Sequence, residues 1–184
     1  EAEDKLNFAT GLLIRNEYEL AAGELRELLA AHPGFIQADV ALYRLGEALS
    51  TIRENMPLPS VCGRVCPHPC ETNCNRNHYD EGLSIRNLER AAADCSDASA
   101  IHRLQPAEPT GKSVAVIGGG PAGLACAYDL ACQGYAVTIF EALPVAGGML
   151  AVGIPIYRLP RNILNREIDY VKQLGVDIKT GVRI

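Results

Sequence analysis

The chain has 184 residues, an ordinary apolar content of 48% and a formal net charge of −5. That length holds one medium domain or two small ones. The acidic balance draws no polyanion, no basic run would sit on an acidic membrane, and no run of about 18 apolar residues reads as a membrane span. Nucleic acid and membrane are therefore not expected partners. The first residues, EAEDKLNFATGLL, are acidic where an export signal would be basic. The seven cysteines are clustered rather than spread as a disulfide framework, which predicts a reducing, cytoplasmic setting.

Residues 1–56 read as a helical region. Tyr18, Ala21, Ala22, Leu25, Leu28 and Leu29 recur at helical spacing, and His32-Pro33-Gly34 ends that helix. A further helix is expected over about Ile36 to Glu54.

Residues 57–105 form a cysteine-rich segment. Cys62, Cys66, Cys70 and Cys74 recur at every fourth position. On a continuous helix they would share one stripe, but Pro67 and Pro69 each remove a donor and clash with the preceding turn. A folded-back loop carrying thiolates fits a metal centre, and sulfur ligands suit iron–sulfur clusters or zinc. Structural zinc usually shows cysteine pairs with a longer spacer, whereas clusters use tight runs that include Cys-Pro, as at Cys66-Pro67. Reduced structural thiols are the third reading. After the loop-like NRNHYDEG, a helix is expected with Ser84 as its cap and Ile85, Leu88 and Ala92 on one face. A linker with Pro106 and Pro109 follows.

Residues 111–184 switch period. Two β-branched runs, KSVAVIG and YAVTIFE, flank a helix that Gly134 ends. A glycine- and proline-rich loop, a helix from about Arg161, and a third run, VDIKTGVRI, follow. Strands alternating with helices predict a parallel βαβ unit. The fold class is thus α plus α/β: a helical start, a cysteine-rich helical domain, and half of a Rossmann unit.

Within that unit, Gly118-x-Gly120-Pro121-Ala122-Gly123 sits after a strand and opens a helix, where a dinucleotide fingerprint must lie. Gly118 permits the tight turn, Gly120 lets the backbone approach a pyrophosphate, and Gly123 allows helix to pack on strand. The helix N-terminus offers free N–H groups to phosphates. Glu141 ends the second strand, where an acidic side chain accepts hydrogen bonds from ribose hydroxyls. Spacing alone does not separate FAD from NAD. No acid–base pair or nucleophile stands out, so no catalytic residue is assigned.

The stretch GGGPAGLACAYDLACQGYAVTIFEALPVAGGMLAVGIPIYRLP resembles the FAD-binding half of the glutamate synthase small-chain family, which includes the N-terminal part of dihydropyrimidine dehydrogenase. The stretch NMPLPSVCGRVCPHPCETNCNRNHYDEGLSIRNLERAAAD resembles the same family's cluster domain. Together they cover residues from about 48 to 184. The resemblance implies FAD at the fingerprint, with Glu141 on its ribose, Gly147, Gly148, Met149 and Leu150 lining the flavin side, and Arg158 facing the cofactor. It implies [4Fe-4S] clusters whose ligands come from Cys66, Cys70 and Cys74, with Cys62 not always a ligand and Glu89 able to complete one cluster. It also implies a second fingerprint for NAD(P)H, which this sequence does not contain, and an upstream motif with four more cysteines, whereas no cysteine precedes Cys62. The expected function is an electron-transfer oxidoreductase module, with a protein partner or further chain segments completing the flavin and cluster domains. The region before residue 50 resembles a tetratricopeptide repeat through Phe8, Ala9, Leu12, Tyr18, Ala21, Leu25, Leu28 and Pro33. That leaves a non-catalytic interaction module with a helical docking segment as the alternative.

Overall fold

The computed structural model describes residues 49–95 and 106–184, together with isolated positions nearer the N-terminus. The helices and the repeat resemblance read for the first 50 residues lie almost wholly outside the described residues. In chain order the elements are α1 (Pro59–Val65), α2 (Pro69–Thr72), a 3-10 turn (Asn75–His78), α3 (Ile85–Cys95), β1 (Ser113–Ile117), α4 (Pro121–Cys132), β2 (Ala136–Glu141), α5 (Met149–Val152), α6 (Arg161–Gln173) and β3 (Asp177–Thr180). Among the described residues no helix is long and apolar enough to cross a membrane.

The chain divides into two compact units, and the division does not follow the sequence segments. One unit holds residues 53–65 with 103–184; the other holds 66–102 and the residues before 53. The boundary expected at residue 56 therefore falls inside the first of these.

In the unit that carries the sheet, the strands lie in the order β1-β2-β3. Both pairings are parallel, Ser113 opposite Ala136 and Thr138 opposite Asp177. Parallel neighbours need a crossover, and α4 and α6 supply the two crossovers. Val114 and Val116 turn toward α4 while Ser113, Ala115 and Ile117 are exposed, the alternation expected of a strand covered on one face. The core is Leu124, Ala127, Tyr128 and Ala131 of α4, Val137 and Ile139 of β2, and Leu164, Ile168 and Val171 of α6, closed by Leu159 and Val176. Leu58 and Val61 join the same core, so α1 belongs to the dinucleotide unit and not to the cysteine segment.

A buried polar network fixes that attachment. Arg53 Nη2 lies 3.2 Å from Glu167 Oε2, with the two side chains only 5% and 0% exposed. Glu167 Oε1 accepts the Ser60 N–H at 2.9 Å. The Arg53 guanidinium lies 3.6 Å from the centre of the Tyr170 ring, and that ring stacks on Tyr128. Tyr128 in turn donates its hydroxyl to the Arg53 carbonyl at 2.8 Å. Burial pushes the Tyr128 phenol well above its ordinary pKa, which keeps it a proton donor. The linker is strapped to the same unit: Ala107 N–H donates to Cys132 O and Thr110 N–H to Gly134 O, answering carbonyls that the end of α4 leaves open.

The other unit is organised around α3. Leu49 and, on α3, Ala92 and Ala93 are buried. Leu88 N–H donates to Ser84 O, so Ser84 stands at the cap position as expected. Its hydroxyl, however, accepts from Asn87 Nδ2. The helix-end amide of Arg86 is taken instead by Glu71 Oε1 at 2.8 Å, a carboxylate suited to the positive end of a helix. The loop expected after Cys74 contains the 3-10 turn, whose Asn77 side chain donates to the carbonyls of Glu71 and Thr72.

Candidate dinucleotide site and cysteine segment

Strand β1 delivers the chain to Gly118, whose φ of +97° lies in the left-handed region that glycine favours. Its N–H still donates to Phe140 O at 2.8 Å, extending the ladder by one step. The chain then enters α4 with Gly120 as the cap and Pro121 in the first turn, where proline's missing donor costs nothing. The first helical bond is Leu124 N–H to Gly120 O. The amides of Ala122 and Gly123 precede it, and they sit where a phosphate is best received. A Cβ on Gly123 would run into the Gly118 carbonyl oxygen. The third glycine of the fingerprint is therefore a packing requirement here.

Glu141 is 7% exposed. Its Oε2 accepts the Gly119 N–H at 2.7 Å and its Oε1 accepts the Leu143 N–H at 2.7 Å. The acid at the end of β2 thus ties the fingerprint loop to the turn that follows the strand. A carboxylate oxygen has two lone pairs, so each oxygen keeps one for a further donor such as a ribose hydroxyl.

The second glycine pair is brought to the first. Gly147 N–H donates to Gly119 O at 2.7 Å. At Gly148, φ is +52° and a Cβ would stand 2.8 Å from the Gly120 Cα, so two backbones meet with no room for a side chain. Of the residues that follow, Met149 is exposed while Leu150 is buried in the core. Leu150 therefore supports the wall from behind and does not line it. Arg158 is exposed on the next loop. Gly119 is the residue that motif reading passes over: its N–H holds Glu141, its carbonyl holds Gly147, and the only local signal was a third consecutive glycine.

The cysteine segment breaks where Pro67 and Pro69 stand. Helix α1 ends at Val65, and His68, between two prolines, adopts φ +48° and ψ +50°. That left-handed turn interrupts the every-fourth spacing, so no stripe of sulfurs forms. Cys62 lies on α1 in the dinucleotide unit, while Cys66, Cys70 and Cys74 lie in the other. Among the described residues, no three histidine, cysteine, aspartate or glutamate side chains are placed to share one metal ion. Within the unit that holds them, Cys66, Cys70, Cys74 and Glu89 are thus not gathered around one metal ion.

Two of these sulfurs nevertheless meet backbone N–H groups. His68 N–H donates to Cys66 Sγ at 3.4 Å. At Cys74, the backbone N–H of Leu83, then that of Arg76, with smaller help from Asn77 and the Arg76 charge, hold the thiol below its ordinary pKa. Alkylation of Cys74 should accordingly reach its half-maximal rate at a lower pH than an unstructured cysteine. Iodoacetamide labelling across pH, read on the Cys74 peptide by mass spectrometry, checks this; a midpoint at or above the free thiol's contradicts it. Glu89 is half-buried, and burial first and the Glu71 charge second raise its pKa. Its electrostatic neighbour is thus another carboxylate. Among the remaining cysteines, Cys126 is exposed on α4, whereas burial raises the pKa of the half-buried Cys132 thiol.

Comparison with known proteins agrees with both halves. Residues 29–101 match the family described as dihydropyrimidine dehydrogenase domain II, 4Fe-4S cluster. Residues 116–154 match the family of NAD(P)-binding Rossmann-like domains. The first match begins inside the segment that resembles a helical repeat. The chain is 54% identical to the beta subunit of a NADPH-Fe(3+) oxidoreductase of Geobacter sulfurreducens, over 83% of this chain and 23% of that one. It is 39% identical to subunit PreT of a NAD-dependent dihydropyrimidine dehydrogenase of Salmonella typhimurium, over 83% of this chain and 37% of that one. It is 41% identical to the small chain of the NADPH glutamate synthase of Bacillus subtilis, over 77% and 29% respectively. These relatives are oxidoreductase subunits, and this chain spans about a quarter to a third of their length. A cluster-family segment followed by a dinucleotide unit, each matched on its own and both shared with these subunits, places the chain in the family of the glutamate synthase small chain and the dihydropyrimidine dehydrogenase subunit.

Proposed function

We propose that this chain is the part of an electron-transfer oxidoreductase that seats FAD. The observation that carries the reading is the set of contacts around Gly119: its N–H on the Glu141 carboxylate, its carbonyl on the Gly147 N–H, and Gly120 against Gly148. Those contacts bring backbone without side chains to the N-terminus of α4, where a pyrophosphate would be received. The Ala122 and Gly123 amides would take the phosphates, and the spare lone pairs of Glu141 would take the ribose. The Gly147–Gly148 turn and Met149 would border the ring. Bound flavin would supply exchange between two-electron and one-electron carriers.

The cysteine segment is read as half of a cluster site. Cys66, Cys70 and Cys74 are its donors, and the remaining ligands come from another chain segment or a partner subunit. The backbone N–H contact at Cys66 Sγ and the lowered pKa of the Cys74 thiol support this, as does the match to a 4Fe-4S family over residues 29–101. The same unpaired thiols favour a cytoplasmic setting.

The test is anaerobic reconstitution with FAD, iron and sulfide, followed by desalting and an absorbance spectrum. FAD should be retained near one per chain and should not be displaced by NADP+. The broad visible absorption of a cluster, bleached by dithionite, should be absent on this chain alone. Failure to retain FAD overturns the flavin reading. A bleachable cluster band overturns the shared-ligand reading.

A further inference from the structure

Arg161 is the first residue of α6. A cation there opposes the positive end of the helix dipole, and the first turn of α6 contains no acid to offset it. The side chain is turned away from the helix and into the preceding loop. Its Nη1 donates to Leu150 O at 2.9 Å and to Leu159 O at 3.2 Å, and its Nη2 donates to Ile154 O at 2.8 Å. One guanidinium nitrogen thus joins the two ends of the loop, and its twin holds the middle. The ends are also pinned by the side chains of Leu150 and Leu159, 6% and 0% exposed. Between them, Val152, Ile156 and Tyr157 are 58%, 62% and 86% exposed; local backbone bonds close the turns at 149–154 and 155–159 separately, and the Arg161 side chain bonds to carbonyls of both.

The loop continues directly from Gly147 and Gly148, which dock on Gly119 and Gly120. We propose that Arg161 is a positioning residue of the dinucleotide site. It staples the loop of residues 150–159 into the shape that holds the Gly147–Gly148 turn against the fingerprint. This rests on the flavin reading above. Arginine is required because three carbonyls at fixed angles match a planar fork of N–H groups, which the rotating ammonium of lysine does not reproduce.

The test compares wild type with Arg161→Gln and Arg161→Lys by amide hydrogen exchange and by FAD titration. In Arg161→Gln, exchange should rise over residues 149–159 and stay unchanged in β1 and β2. The competent fraction of the site should fall, weakening FAD by about tenfold. Arg161→Lys should lie between the two. Unchanged exchange in the loop overturns the staple, and raised exchange with unchanged FAD affinity overturns its role at the site. Loss of protection throughout β1 and β2 in both variants also overturns it, because the role would then be general stability. If the wild type binds no FAD, the flavin reading fails, and the staple stands or falls on loop exchange alone.

Discussion

Glu167→Ala should cost the dinucleotide unit about 3–5 kcal/mol, the usual consequence of removing one partner from a buried ion pair. Glu167 is fully buried and holds two groups at once, the Arg53 guanidinium and the Ser60 N–H. Its loss leaves the Arg53 charge in the core without a carboxylate. Among the described residues, Arg53 Nε and Nη1 already have no hydrogen-bond partner, so no second acceptor stands ready. The Ser60 amide is stranded as well, at the start of α1. The segment of residues 53–65 should therefore lift away first and expose Leu58 and Val61. Replacing both members by apolar residues, as in Arg53→Met with Glu167→Leu, should recover much of the loss, because paired buried charges give little net stability over a well-packed apolar pair. The chain has no tryptophan, so denaturation is best followed through the tyrosine signals of Tyr128 and Tyr170, which stack within this network. A cost below about 1 kcal/mol for the single variant would mean that water reaches the site and that the pair behaves like a surface one.

That network also marks where sequence reading runs out. The dinucleotide half was legible because its signals are local. The β-branched runs, the glycines between strand and helix, and the acid at the end of β2 all lie within one βαβ unit, and each has a steric reason to be where it is. Arg53 and Glu167 are 114 positions apart, and each alone looks like a charge on the solvent side of a helix. Nothing local announces that they meet, and so nothing announced that residues 53–65 pack with the sheet. The cysteines failed differently. Their spacing was plain, and the two prolines already argued for a break, but a spacing fixes a site only through the path of the backbone, and that path turns on the left-handed conformation of His68. Glu71 reaching Arg86 N–H from 15 positions away displaced Ser84 as the side-chain cap for the same reason: a distant acid outcompeted the local hydroxyl.

Gly123→Ala should reverse the usual sign of a glycine-to-alanine change. In an open helix interior, alanine is better than glycine by about 1 kcal/mol. At position 123 the added methyl runs into the Gly118 carbonyl oxygen, stands 3.0 Å from the Gly118 carbon and meets Val116 Cγ1 at 3.4 Å. The first two neighbours are backbone and have no rotamer to yield. Either α4 moves off β1 or the Gly118 peptide tilts, and overpacking of this kind costs about 1–3 kcal/mol. Both movements disturb the site itself, since the Ala122 and Gly123 amides ride on the helix and the Gly119 N–H that holds Glu141 follows Gly118 directly. Stability and FAD retention should therefore fall together. Gly118→Ala is the informative contrast. A Cβ there meets nothing within 4 Å, yet φ is +97°, so its cost is backbone strain without a clash. It should be milder in FAD retention than Gly123→Ala, with thermal melting and desalting against FAD read on both. A Gly123→Ala protein that melts no lower than wild type and keeps its FAD would show that α4 can ride higher on β1 without harm. The third glycine of this fingerprint would then be dispensable for packing.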